Sequence, residues 1–415
     1  MTAPRVAYVN LGCRVNRDEL DDIARTLAAE GVAVVDPPDA SVIVVNSCAV
    51  TGEAQATTRK RVRRLAALPQ APEVVVSGCV ASLFADELAS VAPNVRVVPD
   101  KAQVAAQVMS VVGTSALPHE SAAPRPGTPT GRTRPGIKIQ DGCDHRCSYC
   151  IVWRARGAQR SLPAADVLER VARESERGAA EVVLSGINLG SYQDRGLDLA
   201  GLLAMLMRET DVRRVRIGSI EPMDVSARLV ETLGAYPERL APFLHVCLQS
   251  GCDATLARMG RPYDVAAYAR MAHMARAAVP SLALGTDVIA GFPGETEAEF
   301  QQSLSFCRDM AFANMHVFRY SPRPLTPAAD APDQVSAQDK AARSARLRAL
   351  ARDLRREAAR ARLGTEELVV VESRGRGVTG GLFDVRVSPA AQVGSMVRAR
   401  LTSLLDDGSL LAELL

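Results

Sequence analysis

Apolar positions follow two alternating rhythms over residues 1–113. Val6 to Asn10, Ser41 to Asn46 and Glu73 to Ser77 are short β-branched runs with the near-continuous hydrophobicity of strands buried on both faces. Asp18 to Glu30, Glu53 to Ala67 and Val80 to Ala89 place their apolar residues at helical spacing. Strands alternating with helices predict a doubly wound α/β domain. Residues 114–135, rich in Pro, Gly, Ser and Thr, read as a linker.

Over residues 136–363 the alternation resumes. Apolar runs at Gly136 to Gln140, Glu181 to Ser185, Arg213 to Ser219, Phe243 to Gln249, Leu282 to Ala290 and Asn314 to Tyr320 alternate with helical stretches, predicting a partial (β/α)6 barrel. Function is then expected on the loops that follow the strands. A charged helix from Ser336 to Leu363 ends at Gly364, a helix-stopping glycine. In residues 364–415, period-two alternation with Gly375, Gly377, Gly380, Gly381 and Gly394 predicts a small all-β barrel of five strands.

Composition narrows the class. At 415 residues and 47% hydrophobic, the chain can build several cores. The N-terminal residues are too lightly charged for a signal peptide, and no apolar run approaches the ~20 residues of a membrane span, so a cytoplasmic protein is expected. Nine cysteines in such a protein point to metal chemistry before disulfides. The net charge of +3 is no nucleic-acid signature, but Arg59, Lys60, Arg63 and Arg64 concentrate charge on one helix, and Lys340 to Arg362 carry a second basic series. Two basic helices suit one polyanion; the alternative is solvated faces balanced by Asp339, Asp353 and Glu357.

The cysteines carry the chemistry. Cys143, Cys147 and Cys150 follow the first barrel strand in a C-x-x-x-C-x-x-C run. That spacing offers three soft thiolates to one centre and leaves a cubane iron–sulfur cluster one iron short of a protein ligand, an open position for a cofactor. A zinc site would need a fourth ligand, which His145, inside the loop, is poorly placed to supply. Cys13, Cys48 and Cys79 each follow a predicted strand of the first domain. Parallel strands end on one sheet edge, so this second triplet is expected to converge there; the alternative is buried, inert thiols.

Together the runs Leu11-Gly12-Cys13-Arg14-Val15-Asn16, Asn46-Ser47-Cys48-Ala49-Val50-Thr51 and Ser77-Gly78-Cys79, with the Cys143, Cys147, Cys150 loop, resemble the methylthiotransferase family of radical S-adenosylmethionine enzymes. The resemblance spans essentially the whole chain and implies a C-terminal barrel of the TRAM type. It implies two [4Fe-4S] clusters: one on Cys143, Cys147 and Cys150 that cleaves S-adenosylmethionine, and an auxiliary one on Cys13, Cys48 and Cys79 that serves sulfur insertion. Position after the barrel strands makes Ser185, Gly186, Asn188, Ser219, Glu221 and Gln249 candidate cofactor contacts, Asp287 opens a run that resembles the superfamily's adenine-facing glycine-rich segment, and Arg59, Lys60, Arg63 and Arg64, just after Cys48, are expected to contact phosphates. Expected partners are a tRNA anticodon loop and an electron donor such as flavodoxin or ferredoxin. Residues around Cys13 and after Cys48 are most similar to enzymes acting on N6-threonylcarbamoyladenosine at position 37. The alternatives are isopentenyladenosine and a ribosomal-protein aspartate. Trp153 stands where the family usually has proline, and Cys247 and Cys252 where proline and serine are common; Cys247, Cys252 and Cys307 are expected to be structural.

Overall fold

The computed structural model describes residues 4–112 and 131–415; the expected linker lies outside them up to residue 130. The first unit contains β1 (Arg5–Asn10), α1 (Arg14–Ala29), β2 (Ala33–Val34), β3 (Val42–Ser47), α2 (Gly52–Ala66), β4 (Glu73–Gly78), α3 (Cys79–Leu83), α4 (Ala85–Ala89), β5 (Val95–Val97) and α5 (Val104–Val112). Its strands are parallel in the order β2-β1-β3-β4-β5. Both faces are covered, as continuous apolar strands require. Leu20, Ile23 and Leu27 of α1 with Val104 and Val108 of α5 bury Val6, Val42, Val44 and Val75 on one face. Val62 and Leu65 of α2 with Leu88 of α4 bury Ile43, Val45, Val74 and Val76 on the other.

Three boundaries differ from expectation. α1 starts at Arg14, capped by extended Cys13, so the cysteine sits on the helix end. The helix expected from Val80 to Ala89 is broken at Phe84, whose backbone (φ −138°, ψ 47°) is not helical. The edge strands β2 and β5 are only two and three residues long, too short to register as apolar runs.

The second unit runs β6 (Gly136–Lys138), β7 (Gln140–Asp141), α6 (Val152–Arg156), β8 (Arg160–Ser161), α7 (Ala164–Glu176), β9 (Val182–Ser185), a hairpin of β10 (Gln193–Asp194) and β11 (Leu197–Asp198), α8 (Leu199–Glu209), β12 (Val215–Ile217) and β13 (Ser219–Ile220). It continues with α9 (Ala227–Ala235), β14 (Phe243–Val246), α10 (Asp253–Arg258), α11 (Val265–Ala278), β15 (Ala283–Ala290), α12 (Glu297–Asp309), β16 (Asn314–Arg319) and α13 (Ala337–Arg360). Its main strands are parallel in two groups, β12-β9-β6 and β13-β14-β15-β16. β12 and β13 are one strand interrupted at Gly218, and β6 and β16 are the unpaired edges, so the barrel is open on one side.

Period-two alternation sorts the barrel's residues. Ile137, Leu184, Val215, Ile217, Leu244, Val246, Leu284 and Val288 join the apolar layer shared with the helices. Their neighbours Lys138, Ser185, Arg216, His245, Asp287 and His316 therefore face a polar lumen. α1 packs against β6 and β9, which sets the first unit on the barrel's open side.

The C-terminal strands β17 (Glu366–Ser373), β18 (Arg376–Thr379), β19 (Asp384–Arg386), β20 (Met396–Leu404) and β21 (Leu410–Leu414) close a barrel in the order β17-β18-β19-β21-β20. No helix among the described residues is long and apolar enough to cross a membrane.

Candidate functional site

Cys13, Cys48 and Cys79 follow β1, β3 and β4, three adjacent parallel strands, and so meet on one carboxyl edge. A buried amide lattice fixes that edge. Asn16 Nδ2 donates to Asn46 Oδ1 (2.9 Å) and to the Ser47 carbonyl (3.0 Å), Asn46 Nδ2 donates to the Asn16 carbonyl (2.6 Å), and the Cys13 thiol donates to Asn16 Oδ1 (3.0 Å). Gly78 takes φ +94° beside this lattice, and a Cβ there would lie 2.2 Å from Asn46 Oδ1. Burial, with Cys13 and Cys79 adding to it, raises the Cys48 thiol to about 11, so the three sulfurs share one electrostatic environment.

The second triplet lies on the loop after β7. Gly142, at φ +70°, packs where a Cβ would meet the Ala158 carbonyl at 2.0 Å, and the Cys143 amide donates to the Gly157 carbonyl (3.1 Å). The Cys150 amide bonds the Cys147 carbonyl (3.1 Å), tightening the turn between them. Burial raises Cys150 to about 12, with Cys147 and Cys143 adding to the rise. Arg261 Nη1 donates to Cys147 Sγ (2.9 Å), and Arg261 is paired with Glu221. A cation at either triplet reverses this balance, because it stabilises thiolate.

Arg156 joins the two sites. It ends α6, the short helix that begins just after Cys150, and its side chain is buried. Nη1 donates to Glu19 Oε1 (2.7 Å) and Asp141 Oδ1 (2.9 Å), and Nη2 donates to Asn16 Oδ1 (3.3 Å). Cys79 lies within its field. Lys138 and Lys101 also bind Glu19, at 2.8 and 2.6 Å.

The remaining expected residues lie along the same rim. Gln140 Nε2 donates to the Gly142 carbonyl (2.9 Å) while its Oε1 accepts from the Ile187 and Asn188 amides (2.9 and 2.8 Å), tying the Gly186 segment to the cysteine loop. Asn188 Oδ1 is buried with no hydrogen-bond partner. Ser219 begins β13 on the lumen side, and Glu221 follows that strand. Gln249 holds φ +67°, costly for a residue with a side chain and common at functional sites. Ser185 is engaged from the first unit: its hydroxyl donates to Asp18 Oδ2 (2.5 Å). Asp287 Oδ1 accepts from His245 Nε2 (3.0 Å) and His316 Nδ1 (3.1 Å). Burial alone would raise the Asp287 pKa; the two histidine hydrogen bonds outweigh it and hold the carboxyl low.

The basic helices separate. Lys60, Arg63 and Arg64 of α2 are exposed, whereas Arg59 is paired with Glu87 (2.8 Å). Arg343, Arg346 and Arg362 of the second series are paired with Glu295, Glu297 and Glu367, while Arg348 and Arg352 line a cavity of about 500 Å³ with Arg134 and Arg355. Cys252 and Cys307 are buried, as structural residues would be. Cys247 departs from that reading: it faces the lumen, with Sγ 3.8 Å from Asp287 Oδ2. Trp153 is flanked by the guanidiniums of Arg146 and Arg154, 4.2 and 4.5 Å from its ring centre. Sequence reasoning assigned no role to Arg156, Arg261, His245 or His316. The available signal was position alone, beside a cysteine loop or at an inward strand position.

An open parallel barrel with a three-cysteine loop after its first strand defines a radical S-adenosylmethionine enzyme. The model of the radical SAM superfamily matches residues 137–307, and that of uncharacterized protein family UPF0004 matches residues 5–99. The chain is 33% identical to threonylcarbamoyladenosine tRNA methylthiotransferase MtaB of Thermotoga maritima, over 97% of this chain and 95% of the relative. It is 34% identical to the Bacillus subtilis protein of the same name, over 85% and 81%, and 31% identical to tRNA-2-methylthio-N(6)-dimethylallyladenosine synthase of Geobacter sulfurreducens, over 97% and 96%. The radical S-adenosylmethionine methyltransferase TsrM of Kitasatospora setae shares the fold, with TM-score 0.56 and 16% identity over 79% of this chain and 77% of that one. The chain belongs to the tRNA methylthiotransferase family of radical S-adenosylmethionine enzymes. Its cofactors are S-adenosylmethionine and [4Fe-4S] clusters.

Proposed function

We propose that this enzyme methylthiolates N6-threonylcarbamoyladenosine at position 37 of tRNA, with Cys143, Cys147 and Cys150 holding one [4Fe-4S] cluster and Cys13, Cys48 and Cys79 the other. The observation that carries the two-site reading is the pair of free cysteine triplets joined by buried Arg156. The donor sets fit: each triplet offers soft sulfur ligands and leaves an iron of a cubane open. When bound, the clusters and S-adenosylmethionine supply the radical and sulfur chemistry that protein acids and bases lack.

The chain's own groups hold and orient. The unpartnered Asn188 Oδ1 suits an ammonium donor such as the methionine amine of the cofactor. Arg261 binds Cys147 and Glu221 together, fixing the loop against the end of β13. Gly186, Ser219, Gln249 and Asp287 complete the rim and lumen wall around the cofactor, and Ser185 braces the first unit through Asp18. Exposure of Lys60, Arg63 and Arg64, on the helix that follows Cys48, supports assigning them contacts to anticodon-loop phosphates. An unstacked loop adenine reaches such a recess more readily than a paired one.

The threonylcarbamoyl substrate is supported by identity to the Thermotoga and Bacillus relatives. Comparable identity to the Geobacter relative favours a second reading, dimethylallyladenosine. Mass spectrometry of tRNA nucleosides from a deletion strain separates them. Loss of the methylthio form of threonylcarbamoyladenosine is expected, and loss of the methylthio dimethylallyl form alone would refute the proposal.

A further inference from the structure

Several charges around the lumen are paired among the described residues. Glu181 is bound by Arg134, Arg214 and Arg216, Glu221 by Arg261, Asp287 by His245 and His316, and Asp18 by Arg132. Arg14 makes no hydrogen bond or ion pair among the described residues. It is the first residue of α1, directly after Cys13, on the helix set against the barrel's open side. Its side chain is open to water. Arg134, Arg132 and Arg216 are near enough to act on it, each already holding a carboxylate of its own, and Asp18 acts in the opposite sense. Across the opening, on the unpaired edge strand β16, His316 lies within its field.

A guanidinium with no carboxylate bound to it is free to pair with an anion that enters beside it. The two candidate substrates differ in this property. A threonylcarbamoyl group retains the free carboxylate and hydroxyl of threonine, whereas a dimethylallyl group is a hydrocarbon. The fork of a guanidinium matches a carboxylate with two parallel hydrogen bonds.

We infer that Arg14 receives the carboxylate of an acidic N6 substituent and thereby selects an anionic modified adenosine over an uncharged one. The inference rests on the threonylcarbamoyl reading and deepens it. It also explains the placement: the residue that reads the substituent adjoins Cys13, so recognition positions the adenine beside the first-unit cysteines.

The test uses the cluster-loaded enzyme and three anticodon stem-loop RNAs, carrying N6-threonylcarbamoyladenosine, its methyl ester, or N6-dimethylallyladenosine. Dissociation constants and kcat/KM are measured for the parent and for Arg14→Gln and Arg14→Lys, with iron content and thermal unfolding reporting that each variant is folded. The parent should prefer the acid over the ester by about 10- to 100-fold, the range of a charge-assisted bidentate contact. Arg14→Gln should abolish that preference, and Arg14→Lys should keep part of it. A folded Arg14→Gln enzyme with the parental acid-to-ester ratio overturns the inference while leaving the substrate assignment standing. A parent enzyme that modifies only the dimethylallyl RNA overturns the substrate assignment, and this inference with it.

Discussion

Arg156→Met tests whether the two cysteine sites are held as one unit. The Glu19 carboxyl is 5% exposed, and burial alone would raise its pKa; Arg156, Lys101 and Lys138 instead hold it at about 2, against an ordinary 4.5. A depression of that size contributes about 3 kcal/mol to folding at neutral pH. Because the folded value is the lower one, the contribution is complete above about pH 4.5 and is lost as pH falls toward about 2. Arg156 is the largest attractive contributor, so roughly 1–2 kcal/mol of this is its own, and its bonds to Asp141 and Asn16 add about 1 kcal/mol each. Lys101 and Lys138 remain in the variant and limit the damage. The expected loss near neutral pH is about 2–4 kcal/mol, read from urea unfolding by circular dichroism. A chain of several units need not unfold in one step, so the first transition is the one compared. A double-mutant cycle with Glu19→Gln should give a coupling of about 1–2 kcal/mol. A loss below about 0.5 kcal/mol, or additive effects of the two changes, would refute the bridging role.

Anaerobic reconstitution should load about eight irons per chain, and changing Cys143, Cys147 and Cys150 together to Ala should leave about four, as measured by iron analysis; loss of all iron would sink the assignment of independent sites. Cys48→Ala should lose methylthio transfer far more than reductive cleavage of S-adenosylmethionine, whereas Cys147→Ala should lose both, followed by chromatography of the cofactor products. Glu181→Gln leaves Arg214 and Arg216 buried without their counter-charge, and a destabilisation of about 3–5 kcal/mol is expected in the same urea assay. Although burial opposes it, those arginines hold the Glu181 pKa well below 4.5, so the parent's advantage should narrow as pH falls under that value. Replacing Arg59, Lys60, Arg63 and Arg64 with Gln should reduce the log–log salt slope of tRNA affinity by roughly 0.7–0.9 for each phosphate no longer neutralised. Lys60, Arg63 and Arg64 should account for most of the change, since Arg59 is bound to Glu87; an unchanged slope would shift the binding surface to the cavity lined by Arg348 and Arg352.

The sequence by itself determined what depends on spacing and period. Three cysteines seven residues apart from end to end make a ligand loop in any fold, and apolar runs with helical stretches between them dictate a parallel sheet whose strand ends share an edge. The order of strands and cysteines along the chain therefore suffices to group Cys13, Cys48 and Cys79. Their helix caps and breaks were not legible, because the capping by Cys13 and the kink at Phe84 depend on local backbone angles that apolar periodicity does not encode. Charge pairing was decided by tertiary structure alone. Arg156 meets Glu19 across 137 positions and Ser185 meets Asp18 across 167, and no local pattern records such a meeting. Arg14 shows the limit most clearly. Its presence beside Cys13 is written in the chain, but that no carboxylate is bound to it depends on every group around it, and those groups come from α1, the segment before β6, β12 and β16.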